Sequence, residues 1–136
     1  MSSDTVFDAY ISEVKKYTGG DVIIEEGSFG SWVYVILEGS VKVKKTTAKG
    51  MVTIDTLREG EVLGEMVFLE GGKMARSASV IAAEDRVKVG LLDTQRLADD
   101  YEAVAPELKA LIQSLMNKLR DTTSKVCSTL VAKNEK

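Results

Sequence analysis

Between Asp21 and Leu92 the sequence breaks every few residues at a glycine-bearing turn, and that spacing restricts the folds open to it. Val22-Ile23-Ile24 runs into Gly27. Residues 32–37 form an apolar run too short and too β-branched for a helix. Glu38-Gly39 turns it into residues 40–45, where Val41 and Val43 point one way and Lys42 and Lys44 the other. Ala48-Lys49-Gly50 turns again into residues 51–57, and residues 77–82 and 86–92 complete the series. Strands this short and this regular predict an antiparallel sandwich or jelly-roll β barrel over residues 20–92, not βαβ units.

The flanks read as helical. Val6, Phe7, Tyr10, Ile11 and Val14 fall at helical spacing behind Asp4, predicting a short helix over 4–16 that Thr18-Gly19-Gly20 stops. Asp93-Thr94 opens another short helix running to about Tyr101. Pro106, the single proline, suits the first turn of a third. From there Leu108, Ile112, Leu115, Leu119, Thr122, Val126 and Thr129 follow in steps of four and three. That is the seam of a coiled coil, and with Leu111 and Met116 beside it the helix carries more apolar surface than one small barrel covers easily. A homodimer through this helix is expected, against the plainer reading that the stripe packs only on its own barrel. The helical region is placed at 94–131, and the whole chain, 1–136, is read as a single domain.

Composition removes several functions. Of 136 residues, 44% are apolar and 29% charged, as in an ordinary globular protein. A net charge of −3 argues against a general nucleic-acid-binding surface. No segment has the length of a membrane span, and Met-Ser-Ser-Asp-Thr lacks the basic start and apolar core of a signal peptide, so a cytoplasmic location is expected. There is no histidine, the commonest general base and metal ligand. The lone cysteine, Cys127, allows no internal disulfide or thiolate cluster and lies in a helical stretch without a base. No catalytic activity, metal or cofactor is expected. Lys42, Lys44 and Lys45 read as a solvated strand face, and Glu25-Glu26 as a charged turn.

The chemistry concentrates in residues 64–79, where Gly64-Glu65 precedes a short apolar turn and Arg76-Ser77 follows it. Backbone N–H groups opening a helical turn attract an anion. Arg76 can close on a phosphate with its planar fork, and Ser77 can add a hydroxyl. Glu65 accepts only, so it suits a sugar hydroxyl rather than the phosphate. The opposing reading makes Glu65 and Arg76 a structural ion pair across a loop, and such pairs are common and weak. Of Ser77 and Ser79, which alternate along a strand, Ser79 is the one expected to be structural.

Taken in order, these segments resemble the cyclic nucleotide-binding domains of catabolite-activator-type regulators and of cyclic-nucleotide-dependent kinases and channels. The resemblance is carried by residues 20–27 (GDVIIEEG), 34–43 (YVILEGSVKV), 60–65 (GEVLGE) and 76–79 (RSAS), and runs over about residues 5–130. It implies that Glu65 accepts the ribose 2′-hydroxyl and that Gly64 lets the backbone approach the sugar. The amides of Met66 and Val67 would face the cyclic phosphate, Arg76 would pair with its charge, and Ser77 would bond to it or to the base. Thr123-Ser124 falls where catabolite-activator-like proteins present a Thr-Ser pair to adenine, one serine coming from the partner subunit. The resemblance therefore implies a sensor that favours cyclic AMP over cyclic GMP, with the long helix as both lid and dimer seam.

Three positions depart from the family pattern. Leu63 stands where phenylalanine usually precedes Gly-Glu, Val67 stands where a small residue is common, and residues 70–75 make a slightly longer, glycine-containing connection. None removes a binding group. Mid-helix Thr123-Ser124 also reads as a soft, low-propensity point. The alternatives are a domain of this fold kept for dimerisation or partner docking without nucleotide, and the effector piece of a transcription regulator. Relatives of the latter kind carry a helix-turn-helix after the long helix, and none follows before Lys136. A sensor with no attached output is expected to act through a downstream partner that the sequence does not name, or through whatever follows if the sequence is a fragment.

Overall fold

In the computed structural model, residues 6–30, 32–65 and 75–134 are described, without the side chains of Thr123 and 126–134. The turn-bounded runs become eight strands: β1 (Ile11–Tyr17), β2 (Val22–Ile24), β3 (Tyr34–Glu38), β4 (Ser40–Thr47), β5 (Gly50–Arg58), β6 (Val62–Leu63), β7 (Ser79–Ala82) and β8 (Val87–Leu92). They form two four-stranded sheets, β1-β8-β3-β6 and β2-β7-β4-β5, and every pair is antiparallel. This is the expected jelly roll.

The continuous apolar run explains itself in β3, which is covered on both faces. Tyr34 and Ile36 point between the sheets, joining Val41, Leu63, Val80, Val87, Val89 and Leu91. Val33, Val35 and Leu37 point outward instead, where Leu92 and the partly buried Phe7, Tyr10, Ile11 and Leu97 cover them. The fifteen or so side chains of these two layers are what the fold gains most from, at about 1.5–3 kcal/mol for each large one.

The N-terminal segment departs from expectation. In place of a helix over 4–16, a single 3-10 turn at Asp8–Tyr10 leads directly into β1. The apolar spacing of Phe7, Tyr10 and Ile11 is real, because all three pack on the outer layer. It is satisfied within that one turn. Beyond it, the backbone gains more from the ladder with β8, where Ile11 pairs with Leu92 and Tyr17 with Val87. Gly90 makes the approach possible, since a Cβ there would stand 3.2 Å from the Ile11 side chain.

Two helices follow the barrel. Asp93 caps α1 (Thr94–Glu102), its carboxylate accepting from the Arg96 amide at 3.1 Å. Arg96 then lies over the Tyr10 ring at 4.7 Å and donates to the Ala9 carbonyl at 2.7 Å. Pro106 starts α2 (Pro106–Asn134), whose N-terminal turns are tied back by Lys109 to Glu102 at 3.2 Å. The described apolar residues of α2 divide between two faces, while the side chains of Val126 and Thr129 in the expected seam lie outside the described residues. Met116 is buried and Ile112 half-buried, whereas Leu108, Leu111, Leu115 and Leu119 are 54%, 61%, 66% and 53% exposed. The helix meets the barrel at β4.

The β3–β4 turn depends on Gly39. Its φ is +84°, and a Cβ would come within 2.4 Å of the Arg86 carbonyl oxygen. Gly39→Ala is expected to cost about 1–3 kcal/mol from strain alone. Chemical denaturation of the two proteins checks this, with a lower midpoint and an unchanged slope expected.

Candidate functional site

The site assembles where β6 ends and the chain returns toward β7. Gly64 follows Leu63 with φ +85°, and its carbonyl accepts weakly from Arg76 Nη1 at 3.4 Å. The Trp32 carbonyl accepts from Arg76 Nη2 at 2.8 Å. The Arg76 backbone is fixed as well. Its amide donates to the Ser28 carbonyl at 2.8 Å, and its carbonyl accepts from the Gly27 amide at 2.9 Å. Both ends of the residue are therefore anchored on the β2–β3 connection and the end of β6. Two glycines make room for the guanidinium: a Cβ on Gly64 would lie 2.6 Å from Nη1, and one on Gly30 would lie 3.6 Å from Nη2.

Arg76 is 6% exposed, yet among the described residues no carboxylate lies within salt-bridge distance of it. Burial lowers its pKa, opposed by the Tyr34 phenol and the Glu65 carboxylate, but an arginine keeps its proton. Glu65 and Arg76 thus sense each other through space without forming the ion pair that the plainer reading required. The Glu65 residue retains open surface, but the protein around its carboxyl desolvates the charge and raises its pKa. Its own backbone hydrogen bond and Arg76 pull the other way. Among the described residues Arg76 is a fixed cation bonded only to main-chain carbonyls through its guanidinium, and Glu65 is a nearby acceptor whose charge the surrounding protein disfavours.

Ser77 is exposed beside Arg76, and its carbonyl accepts from Lys45 Nζ at 2.9 Å. Ser79 is buried, its hydroxyl accepting from the Glu26 amide at 2.9 Å, which makes it structural as expected. Glu26 in turn accepts from the Thr46 amide at 2.8 Å, so the charged turn ties β2 to the tip of β4. Met66 and Val67 lie outside the described residues, as does the Thr123 side chain. Ser124 is exposed on α2 and makes no hydrogen bond with Gly64, Glu65, Arg76 or Ser77 among the described contacts.

Lys45 is the residue misjudged by grouping it with Lys42 and Lys44 on a solvated face. The β4–β5 register shifts between Val43, opposite Asp55, and Lys44, opposite Thr53. The extra residue, Ile54, is on β5, and β4 keeps its alternation against β7, so Lys45 falls on the side of Val41 and Val43 and reaches the closing segment instead of a solvated face. The run Lys44-Lys45 was the available signal, because strict alternation cannot place two successive lysines on one face.

Two outcomes test this geometry. Gly64→Ala would force Arg76 off its anchor, since the added carbon also lies 2.7 Å from the Trp32 carbonyl oxygen. Trp32 is the only tryptophan, so its emission spectrum should shift while the circular dichroism of the barrel stays. Glu65→Gln should raise the melting temperature at pH 7. A carboxyl with a raised folded pKa contributes stability below the ordinary glutamate value of 4.5, and that contribution is lost as pH rises through the raised value. The gain from Gln should therefore shrink toward nothing in melts below about pH 4.5.

Comparison with known proteins places this arrangement. Residues 14–102 match the family model described as cyclic nucleotide-binding domain. The chain is 36% identical over 85 residues to human cGMP-dependent protein kinase 2, covering 61% of this chain and 11% of the kinase. It is 32% identical over 100 residues to the cyclic AMP receptor protein of Thermus thermophilus, covering 73% of this chain and 43% of that protein. Among solved structures, the cAMP-bound form of the EAL enzyme Bd1971 superposes with a TM-score of 0.73 at 26% identity. That match covers 84% of this chain and 30% of the other. The chain thus spans less than half the length of these relatives. With the family model matching most of its length and the barrel matching in three dimensions, the chain belongs to the cyclic nucleotide-binding domain family.

Proposed function

We propose that this chain is a sensor module that binds a cyclic nucleotide, cyclic AMP in preference to cyclic GMP. The observation that carries the reading is Arg76, a buried guanidinium held on main-chain carbonyls with no carboxylate at salt-bridge distance among the described residues. Its desolvation is already accounted for in the folded protein, so an arriving cyclic phosphate gains a charge-assisted contact without first dehydrating the cation. Ser77 adds its hydroxyl from the adjoining position, and the amides of Met66 and Val67 complete the anion cradle. Glu65, beyond Gly64, accepts the ribose hydroxyl. That bond replaces hydration that burial has already removed from the carboxyl.

In this reading the sugar and phosphate fix the ligand and Thr123-Ser124 reads the purine edge, which is the basis of the preference for adenine. Engagement of that pair draws α2 toward the pocket and couples occupancy to helix position. The exposed leucines of α2 are then covered by the same helix of a second copy, giving a homodimer. The module acts by binding, in the cytoplasm and without chemistry, metal or cofactor. It passes its state to a downstream protein rather than directly to nucleic acid or membrane.

Calorimetric titration with both nucleotides, run beside Arg76→Ala, tests the proposal. Removing a buried charge partner should cost about 2–5 kcal/mol, roughly thirty-fold or more in affinity. Absence of binding by either nucleotide to the unaltered chain would overturn it in favour of a docking module. Ser124→Ala should bring the two affinities closer together. For the dimer, Leu111→Glu with Leu115→Glu should yield a monomer in sedimentation, while an unaltered sedimentation coefficient would remove α2 from the interface.

A further inference from the structure

A cavity of about 510 Å³ lies on the other side of Glu65, outside the barrel. Its walls are Phe7 before β1, Val33 and Leu92 on the outer face of the sheet, Leu57, Val62, and Leu97 of α1. The only polar side chains lining it among the described residues are two carboxylates, Glu61 and Glu65. Glu61 accepts from the Arg58 amide, and neither carboxylate lies within salt-bridge distance of a lysine or arginine among the described residues. A volume of this size with apolar walls and a few polar groups is that of a small-molecule site.

We infer that this cavity is a second ligand site, and that it takes a cationic amphiphile: an apolar body between α1 and the sheet, with an ammonium group on Glu61 and Glu65. Charge complementarity selects the occupant. A neutral apolar molecule would leave two carboxylates beside it partly desolvated, and an anionic one would add repulsion. An ammonium supplies the opposite charge where burial already disfavours the ionised Glu65. The inference has a regulatory consequence that rests on the nucleotide reading above. An ammonium paired with Glu65 in the cavity neutralises that carboxylate and weakens it as an acceptor for the ribose hydroxyl, so the two ligands oppose each other.

Decylamine serves as the probe, titrated below its micellar concentration into the full chain by calorimetry, with decanol and decanoate as comparators. The amine should bind at one saturable site, about tenfold or more tighter than decanol, the worth of a charge-assisted contact. Decanoate should not bind. Glu61→Gln should weaken the amine several-fold and leave decanol unchanged. Leu97→Trp, which narrows the cavity from its α1 wall, should weaken binding of both, with folding checked by circular dichroism. Equal affinity for amine and alcohol, or amine binding unmoved by Glu61→Gln, overturns the site. Adding decylamine should lower the apparent affinity for cyclic AMP in proportion to its occupancy. Amine and nucleotide binding without mutual interference overturns the antagonism. Amine binding to a chain that binds no nucleotide would leave the cavity standing and remove the nucleotide reading instead.

Discussion

The bond from the Arg76 guanidinium to the Trp32 carbonyl joins parts of the chain that the sheets alone would leave separate. Arg76 lies on the return toward β7, Trp32 leads into β3, and the second, weaker acceptor, Gly64, closes β6. The β2–β3 connection is drawn in as well through the main-chain bonds of Arg76 with Gly27 and Ser28. One residue thereby fixes the relative positions of two connections, β2–β3 and β6–β7, at the same end of the barrel. A neutral replacement could fill the same volume, but it would not hold Trp32 and Gly64 with a common donor plane.

The electrostatic design is unusual for a buried arginine. A carboxylate beside it would have recovered much of the desolvation cost and turned the site into a structural ion pair. Main-chain carbonyls satisfy hydrogen bonds but leave the formal charge uncompensated, and Glu65 is close enough to be felt without neutralising it. Among the described residues a standing cost lies in two places, a cation with no carboxylate at salt-bridge distance and a carboxyl whose charge the surrounding protein disfavours. In the proposed function each is lowered by a different part of one ligand, an anion for the first and a hydroxyl donor for the second. Stability withheld from the free state is in this way available to binding.

Much of this was legible in the chain. The turn spacing that places Gly39 and Gly50 at hairpin ends led directly to the jelly roll, and Asp93 and Pro106 marked both C-terminal helices. The cassette residues were recognisable because arginine, serine, glycine and glutamate each have one chemical capacity suited to the same ligand. What failed were inferences that needed a partner surface. The spacing of Phe7, Tyr10 and Ile11 fits one helical turn as well as four, and only the free edge of β8 decides that a strand follows. β6, two residues long, has too little pattern to be read until Tyr34 and Val35 are seen opposite it. The leucine seam of α2 gave its periodicity but not its division, since Ile112 and Met116 turn toward the molecule while the neighbouring leucines turn away. The bulge at Ile54, opposite the step from Val43 to Lys44, is a property of two strands together, so no single strand announces it.

The contacts of Tyr10 extend beyond its place in the outer layer. Its hydroxyl donates to Asp100, its ring carries Arg96, and its carbonyl accepts from the Asp93 amide. Three bonds of different kinds thus fasten the 3-10 turn to the first helix after the barrel, although some ninety residues separate them in sequence. The two segments form a single lever with its pivot at Asp93. A tilt of α1 cannot be absorbed in a loose N-terminal arm and must pull on the first residues of β1. The position of α1 and that of the N-terminal turn are therefore set together, by these bonds as well as by the outer layer that Tyr10 and Leu97 share.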